Sequence, residues 1–496
     1  LSDNYYIVQI LTKLLRNLNW NECRRRKTKG EKMNYFRLCQ IFWLMWSVVM
    51  ISACQRVDLS QITVPGDFPT LHEAYEKVKD EGVIFLKSGK HVLPSKLMID
   101  RAITFRGEEG TVIECSDSVV FEITGSAPTF ENLTIHSTCL KDPRQTGVLT
   151  VLEHPRIPMG EECIGVKISG GTPKFQSCVI TAQNGSGMRI SGKQTNPEIK
   201  TCVIKDCGEF GVYISDEAQG TFTDCEITQC QMVGFRVENL ANPTVTDSKF
   251  HHSTQGISVF SNGQGQFTNC EIYQNHGEGV FIFYSGNPTF RQCKIYQAKN
   301  GSGVSCTNFG MGKFIDCEIY DNANEKQVMS ECILAEGGNP EFIRCKIYGS
   351  NTGVLSIKRG LGSFTQCEIK GKIIGVVINE KANPVFLESK ICDSKRFGVM
   401  VHDKGLGSFT DCEISNCSWG GISVAESEAP TTVTRCKISN GKIGVMVLKL
   451  GKCILENNTL ENNLQDWLFL SPYEVSGSRN TPELPGQEPP VTLPTL

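Results

Sequence analysis

One slot recurs along this chain, at Cys178, Cys202, Cys225, Ser248, Cys270, Cys293, Cys317, Cys345, Cys367, Ser389, Cys412, Cys436 and Asn458, in steps of 22 to 24 residues with one step of 28. A period of that size means a solenoid, because a unit so short cannot bury a core alone and must stack on its neighbours. The residues around the slot are strand formers: Phe-x-x-Cys-x-Ile is followed by Gly-Val-x-Ile, as at Gly211-Val212-Tyr213-Ile214 and Gly279-Val280-Phe281-Ile282. Leucine-rich repeats share the period but need LxxLxL and a helical or 3₁₀ return, and neither is present. The expected fold class is an all-β parallel β-helix, two or three short strands per turn.

In such a stack, equivalent residues of successive turns lie about 4.8 Å apart, so columns in the sequence become rows in space. Cys and Ile of Cys-x-Ile share parity and point inward. The residue between them points outward and reads Glu226, Lys249, Glu271, Lys294, Glu318, Lys346, Glu368, Lys390, Glu413, Lys437, alternating in sign without an error. Like charges stacked so closely repel, whereas alternating charges form a ladder. The repeating unit is therefore two turns. Asn-Pro precedes the Lys-type turns (Asn242-Pro243, Asn287-Pro288, Asn339-Pro340, Asn383-Pro384), and a Gly-x-Phe element precedes most Glu-type turns (Gly265-Gln266-Phe267, Gly312-Lys313-Phe314, Gly362-Ser363-Phe364, Gly407-Ser408-Phe409).

These paired turns resemble the right-handed β-helix repeats in the substrate-binding region of F-box-type ubiquitin-ligase receptors. They also resemble those of the related bacterial carbohydrate-binding and sugar-hydrolase group with the pectin-lyase fold. The resemblance covers roughly residues 57–470, and "VPGDFPTLHEA…GVIFLKSGKHVL" is similar to that group's N-terminal cap. It implies a right-handed, single-stranded parallel β-helix with a short capping helix. The fold hosts both enzymes and binders, and no F-box is recognisable ahead of the repeats.

Along the chain, residues 1–32 read as an upstream or non-native extension ending in Arg24-Arg25-Arg26-Lys27. Residues 33–54 read as an export segment: Met33, then Arg37, then the apolar run Ile41–Ala53, too short for a comfortable membrane span. Ile51-Ser52-Ala53-Cys54 resembles a lipobox, making Cys54 a lipidation candidate beside a plain cleaved signal or a short anchor. The protein is thus expected to be exported or membrane-anchored, with membrane contact only through this segment; a cytoplasmic location is the alternative. Residues 55–115 form the cap and first turns, where Leu71, Ala74, Tyr75 and Val78 mark one amphipathic helix starting at a Thr70/Glu73 capping box. Residues 116–470 are the repeats, interrupted at 139–163 and again between Asp321 and Ser330. "DWLFLSPYEV" leaves the pattern and is expected to cover the last strand edge. Residues 471–496 read as a disordered, proline-rich tail.

Chemistry is harder to find. A net charge of −3 over 496 residues gives no reason to expect nucleic acid. Polysaccharide lyases, hydrolases and epimerases need clustered carboxylates with a base. His402-Asp403 and His276 near Glu278 are the nearest approaches, and each lacks a second acid in a neighbouring turn of the same column. The pairs Cys202/Cys207, Cys225/Cys230 and Cys412/Cys417 do not have zinc spacing, and Gly263-Gln264-Gly265 precedes no helix, so no metal, phosphate loop or cofactor is read. With 23 cysteines at least one thiol lies outside any complete set of internal disulfides, and most core-slot thiols are expected to be reduced. The surface feature above background is the outward column of Gly-Val-x-Ile: Lys167, Arg189, Tyr213, Arg236, Ser258 and Phe281, with Phe260 and Phe283 one position further out. Tyr213, Arg236, Phe260, Phe281 and Phe283 form the candidate binding face for a protein or glycan, unless the insertion after Cys139 folds over and buries them. The expected function is a non-catalytic binding scaffold. The alternatives are a polysaccharide-active lyase, hydrolase or uronate epimerase, and a structural cell-surface protein. Oligomeric state is not legible.

Overall fold

The computed structural model describes residues 58–140, 163–322 and 330–485. The chain divides into Leu1–Asp58, almost all of it outside the described residues, and Leu59–Leu496. The export segment, Cys54 and the bodies of both insertions also fall outside them. Among the described residues no helix is long and apolar enough to cross a membrane.

Among the described residues, parallel sheets of 18, 16 and 16 strands form the three walls of a solenoid. Each turn supplies one strand to each wall, as Thr221–Thr223, Glu226–Thr228 and Val233–Val237 do in a typical turn. We call the walls the phenylalanine sheet, the ladder sheet and the glycine-valine sheet after the residues that recur in them. The N-terminal end carries helix α1 (Leu71–Lys77), whose Thr70 hydroxyl accepts from the Glu73 N–H at 3.3 Å while Leu71, Ala74 and Tyr75 are buried. A polar cap and one apolar face are what a short helix needs to seal a strand edge.

Inside, each wall contributes a column. Phe267, Phe290, Phe314, Phe342, Phe364, Phe386 and Phe409 stack with centroids 4.7–4.9 Å apart and planes within 11°, so the strand spacing sets the ring spacing. The cysteine slot lies at the corner between the first two walls. Its occupant accepts the N–H of the slot one turn earlier: Cys178 N–H to Cys202 Sγ at 3.4 Å, Cys225 N–H to Ser248 Oγ at 3.1 Å, Cys436 N–H to Asn458 Oδ1 at 2.8 Å. Cys, Ser and Asn are therefore interchangeable there, because each is small and brings an acceptor to an otherwise orphaned corner amide. The residue before the slot turns the corner in the left-handed region in turn after turn, for example Asp224, Asp247, Asp316, Arg344 and Arg435 at φ 52–54°. Two of these corners are tied across turns by bidentate pairs, Arg344 to Asp316 at 2.7 and 2.8 Å and Arg435 to Asp411 at 2.7 Å twice.

The second members of the Cys-x4-Cys pairs belong to another inward column, shared with Ser253 and Asn275. Cys230 N–H donates to Ser253 Oγ at 3.1 Å, and Ser253 N–H donates to Asn275 Oδ1 at 3.0 Å. The two cysteines of each pair thus serve different corners of one turn.

Two boundaries read from the sequence move. Gln465–Phe469 pairs in parallel with Ile443–Leu448, and Tyr473–Ser478 pairs with Gly451–Glu456, so "DWLFLSPYEV" covers the last repeat's strand edges by adding one strand to each of two walls. The stack accordingly runs past 470 to Ser478, and the slot reaches Asn480, which accepts the Asn458 N–H at 3.0 Å. The tail loses the repeat's side chains but keeps its backbone pairing. The other difference is covalent: Cys139 and Cys163 form a disulfide with Cα atoms 5.5 Å apart, joining the two ends of the first insertion. The other eighteen described cysteines are free and buried.

Candidate functional site

The register of the glycine-valine sheet aligns Lys167, Arg189, Tyr213, Arg236, Ser258 and Phe281 in one outward column, as their spacing implied. What the spacing did not reveal is that this column is packed. Arg236, Phe260 and Phe281 expose only 7%, 6% and 9% of their surface, and Tyr213 and Phe283 are half-buried. The guanidinium of Arg236 lies 4.4 Å from the Phe260 centroid and 5.4 Å from that of Phe210, and Arg189 lies 4.8 Å over Tyr213. Phe260, Phe281 and Phe283 contact one another at 5.6–5.8 Å. The charges are matched locally. Arg236 donates to Glu238 at 3.0 and 2.8 Å, Arg189 to Glu209 at 3.3 Å, and the Tyr213 hydroxyl to Glu238. Burial, reinforced by the Glu238 charge, raises the Tyr213 phenol well above its ordinary value.

The expectation of an open aromatic face is corrected for Arg236, Phe260 and Phe281. Sequence parity tells inward from outward but not whether an outward side chain is covered by its neighbours. Guanidinium groups occupy ring faces on which a sugar would stack. The insertion after Cys139 lies outside the described residues.

Beyond Phe281 the column becomes aliphatic, running through Ser305 to Leu334, Leu355, Val377 and Met400. Leu355, Ile374 and Val377 form a hydrophobic cluster separate from the solenoid core, with Leu334, Ile357, Ile373 and Met400 half-buried around it. These were missed because Ile374-Gly375-Val376-Val377 reads as an ordinary apolar strand. The register is what turns Val377 outward.

A carboxylate pair was also missed. Glu278 accepts from Gln255 Nε2 at 2.8 Å, and Glu331 accepts from Ser302 Oγ at 2.9 Å. Both acids precede the first residue of the Gly-Val element, so Glu331 occupies Glu278's column two turns on, with Ser302 between them. Burial raises the Glu331 carboxyl above the ordinary range, and the Glu278 charge adds to the shift. The second insertion hid this pair: it lengthens one step to 28 residues, and Cys332-Ile333 replaces Gly-Val in that turn. The two candidates considered from sequence fare differently. His276 is exposed, with Nδ1 3.3 Å from the Ser253 carbonyl, and Asp403 occupies a turn at φ 46° beside His402. Among the described residues no group of three His, Cys, Asp or Glu side chains is placed to hold a metal.

Three parallel walls, a stacked core and short corners define a right-handed parallel β-solenoid. The chain matches the family described as "Right handed beta helix region" over residues 118–267, 211–334, 255–385 and 374–481, and it belongs to that family. A curated relative is the F-box protein dre-1 of Caenorhabditis elegans, 35% identical over 63 residues, which are 12% of this chain and 7% of that protein's length. Solved structures with the architecture include the A-module of the mannuronan C-5 epimerase AlgE4 of Azotobacter vinelandii (13% identity, 80% of this chain and 91% of that one, TM-score 0.32). Another is the catalytic unit of a GH87 alpha-1,3-glucanase from Streptomyces thermodiastaticus (12% identity, 82% and 65%, TM-score 0.36). Likeness at this level does not carry chemistry across.

Proposed function

We propose that this chain is a non-catalytic interaction scaffold whose ligand, a protein more readily than a glycan, engages the outer face of the glycine-valine sheet. One observation carries the reading: an apolar cluster, Leu355, Ile374 and Val377 ringed by Leu334, Ile357, Ile373 and Met400, lies outside the core. Leu355, Ile374 and Val377 are themselves covered, so the surface open to a partner is the half-buried rim of Leu334, Ile357, Ile373 and Met400, an apolar patch of the kind that marks an interaction site. Glycan recognition on this face is less well supported, because the Tyr213 and Phe260 rings are covered by arginines. The test is a Leu334→Asp, Met400→Asp double variant compared with the parent for binding of an environment-sensitive apolar dye. Lost dye binding with an unchanged melting midpoint is the expected result. Equal binding by both would sink this face.

A second reading is favoured by Glu278 and Glu331. Their backbones are two strand spacings apart, about 9.6 Å, which leaves room for the carboxyl groups to flank a water as an acid and a base do in inverting glycoside hydrolysis. Release of any product from a panel of neutral glycans and polyuronides would move the protein to the enzyme class.

A further inference from the structure

The ladder sheet presents two outward columns side by side. One is the alternating series, in continuous register from Glu226 to Lys437. The other contains Tyr273, Tyr296, Tyr320 and Tyr348, each half-buried, with ring centroids 5.2, 4.9 and 5.0 Å apart and planes within 8°. The rings cover one another's faces, so this column offers edges and hydroxyls, not a stacking platform.

Alternation explains stability within one chain, and it also restricts what can dock. A strip whose sign reverses every 4.8 Å or so has little long-range field. It can match only a surface of the same period in opposite phase. This chain carries one such surface itself. Turning a second copy about a two-fold axis that lies in the interface, across the solenoid, brings ladder against ladder and tyrosine against tyrosine, antiparallel. If the axis crosses at a rung, that rung meets its own charge. If it crosses between two rungs, every Glu meets a Lys. An axis between the Lys294 and Glu318 turns does this, placing Lys294 opposite the other copy's Glu318 and Glu271 opposite its Lys346. The same axis bisects the tyrosine series, between Tyr296 and Tyr320. The two columns therefore agree on one centre.

We propose that the protein self-associates through this face as an antiparallel two-fold dimer centred between the Lys294 and Glu318 turns. Matched charge runs from Glu226 to Lys390, seven steps or about 34 Å, and the strip is two side chains wide. That is the small end of specific interfaces, so the dimer is weak and concentration-dependent. Tyrosine edges supply the desolvated centre, and the charges set register.

Sedimentation velocity of the full chain tests it. The parent is expected to dimerise at low ionic strength and to dissociate in high salt. Lys294→Glu alone and Glu318→Lys alone each place like charges together and should weaken association about tenfold. Mixed in equal amounts they restore both central contacts, so the mixture should recover dimer to within about threefold of the parent. Recovery on mixing is not produced by a folding defect in either variant. A parent that stays monomeric at every concentration in low salt, or a mixture no better than its components, overturns the proposal.

Discussion

The guanidinium of Arg236 lies 4.4 Å over the ring of Phe260 and at the same time holds the Glu238 carboxylate with two hydrogen bonds. All three residues are buried, so the pair behaves as part of the packing and not as an open surface contact. Arg236→Ala leaves Glu238 charged and short of a partner, and is expected to cost about 3 kcal/mol. Phe281→Ala, which uncovers Phe260 and Phe283, should cost about 2 kcal/mol. Urea unfolding of both variants measures this. Losses under 0.5 kcal/mol (about the scatter for surface substitutions) would show that the layer is decorative.

Lys294 stands in register between Glu271 and Glu318. Lys294→Glu puts three carboxylates in succession and should destabilise the fold by roughly 0.5–1 kcal/mol at low salt, since single surface pairs are weak. The penalty should shrink as salt rises. Measuring the unfolding midpoint in dilute and in molar salt checks both, and equal midpoints for variant and parent in dilute salt would contradict the stacking.

How far the residues reveal this fold depends on which column they occupy. Where a column has one chemical demand it is legible: the slot must bring a small acceptor, and so Cys178 through Asn458 could be aligned by eye. The sign ladder is legible for the same reason. The tail is less so, because Tyr473–Ser478 is held by backbone pairing after its side chains have stopped repeating. The outward face of the glycine-valine sheet was half-legible. Periodicity placed Tyr213, Arg236 and Phe281 outward, but whether they were open depended on neighbours four to six ångströms away across turns. Glu331 was hidden by a changed step length. The Cys139–Cys163 disulfide was not read either, because both cysteines border an insertion, where the period gives no partner.

The free thiols give the protein an alkaline limit. Burial pushes Cys225 and Cys453 up to about 12 from an ordinary value near 9. Protonated thiol is thus favoured by folding, so this stability is complete below about pH 9 and is lost as pH rises toward 12. Chemical unfolding from pH 7 to 11 should show a plateau and then a decline. In the native protein at pH 8 a bulky thiol reagent should label few of the buried cysteines, with the rest reacting only in denaturant. Rapid native labelling, or stability that rises above pH 9, would refute the inward columns.

Glu331→Gln separates structure from catalysis. The Glu331 carboxyl is raised by burial and by the Glu278 charge, so its contribution to stability is present below the ordinary carboxylate value and falls away as pH climbs through the raised one. Gln keeps an acceptor for the Ser302 hydroxyl without acquiring charge. The variant should therefore match the parent at low pH and exceed it in stability at pH 7. If the pair also works on a substrate, the same change removes the proton donor, and turnover should fall by roughly 10²-fold or more. A scaffold predicts the stability change alone, whereas an enzyme predicts both. Loss of stability at pH 7 would show that Glu331 is held as a carboxylate, and the pair could not then divide into acid and base.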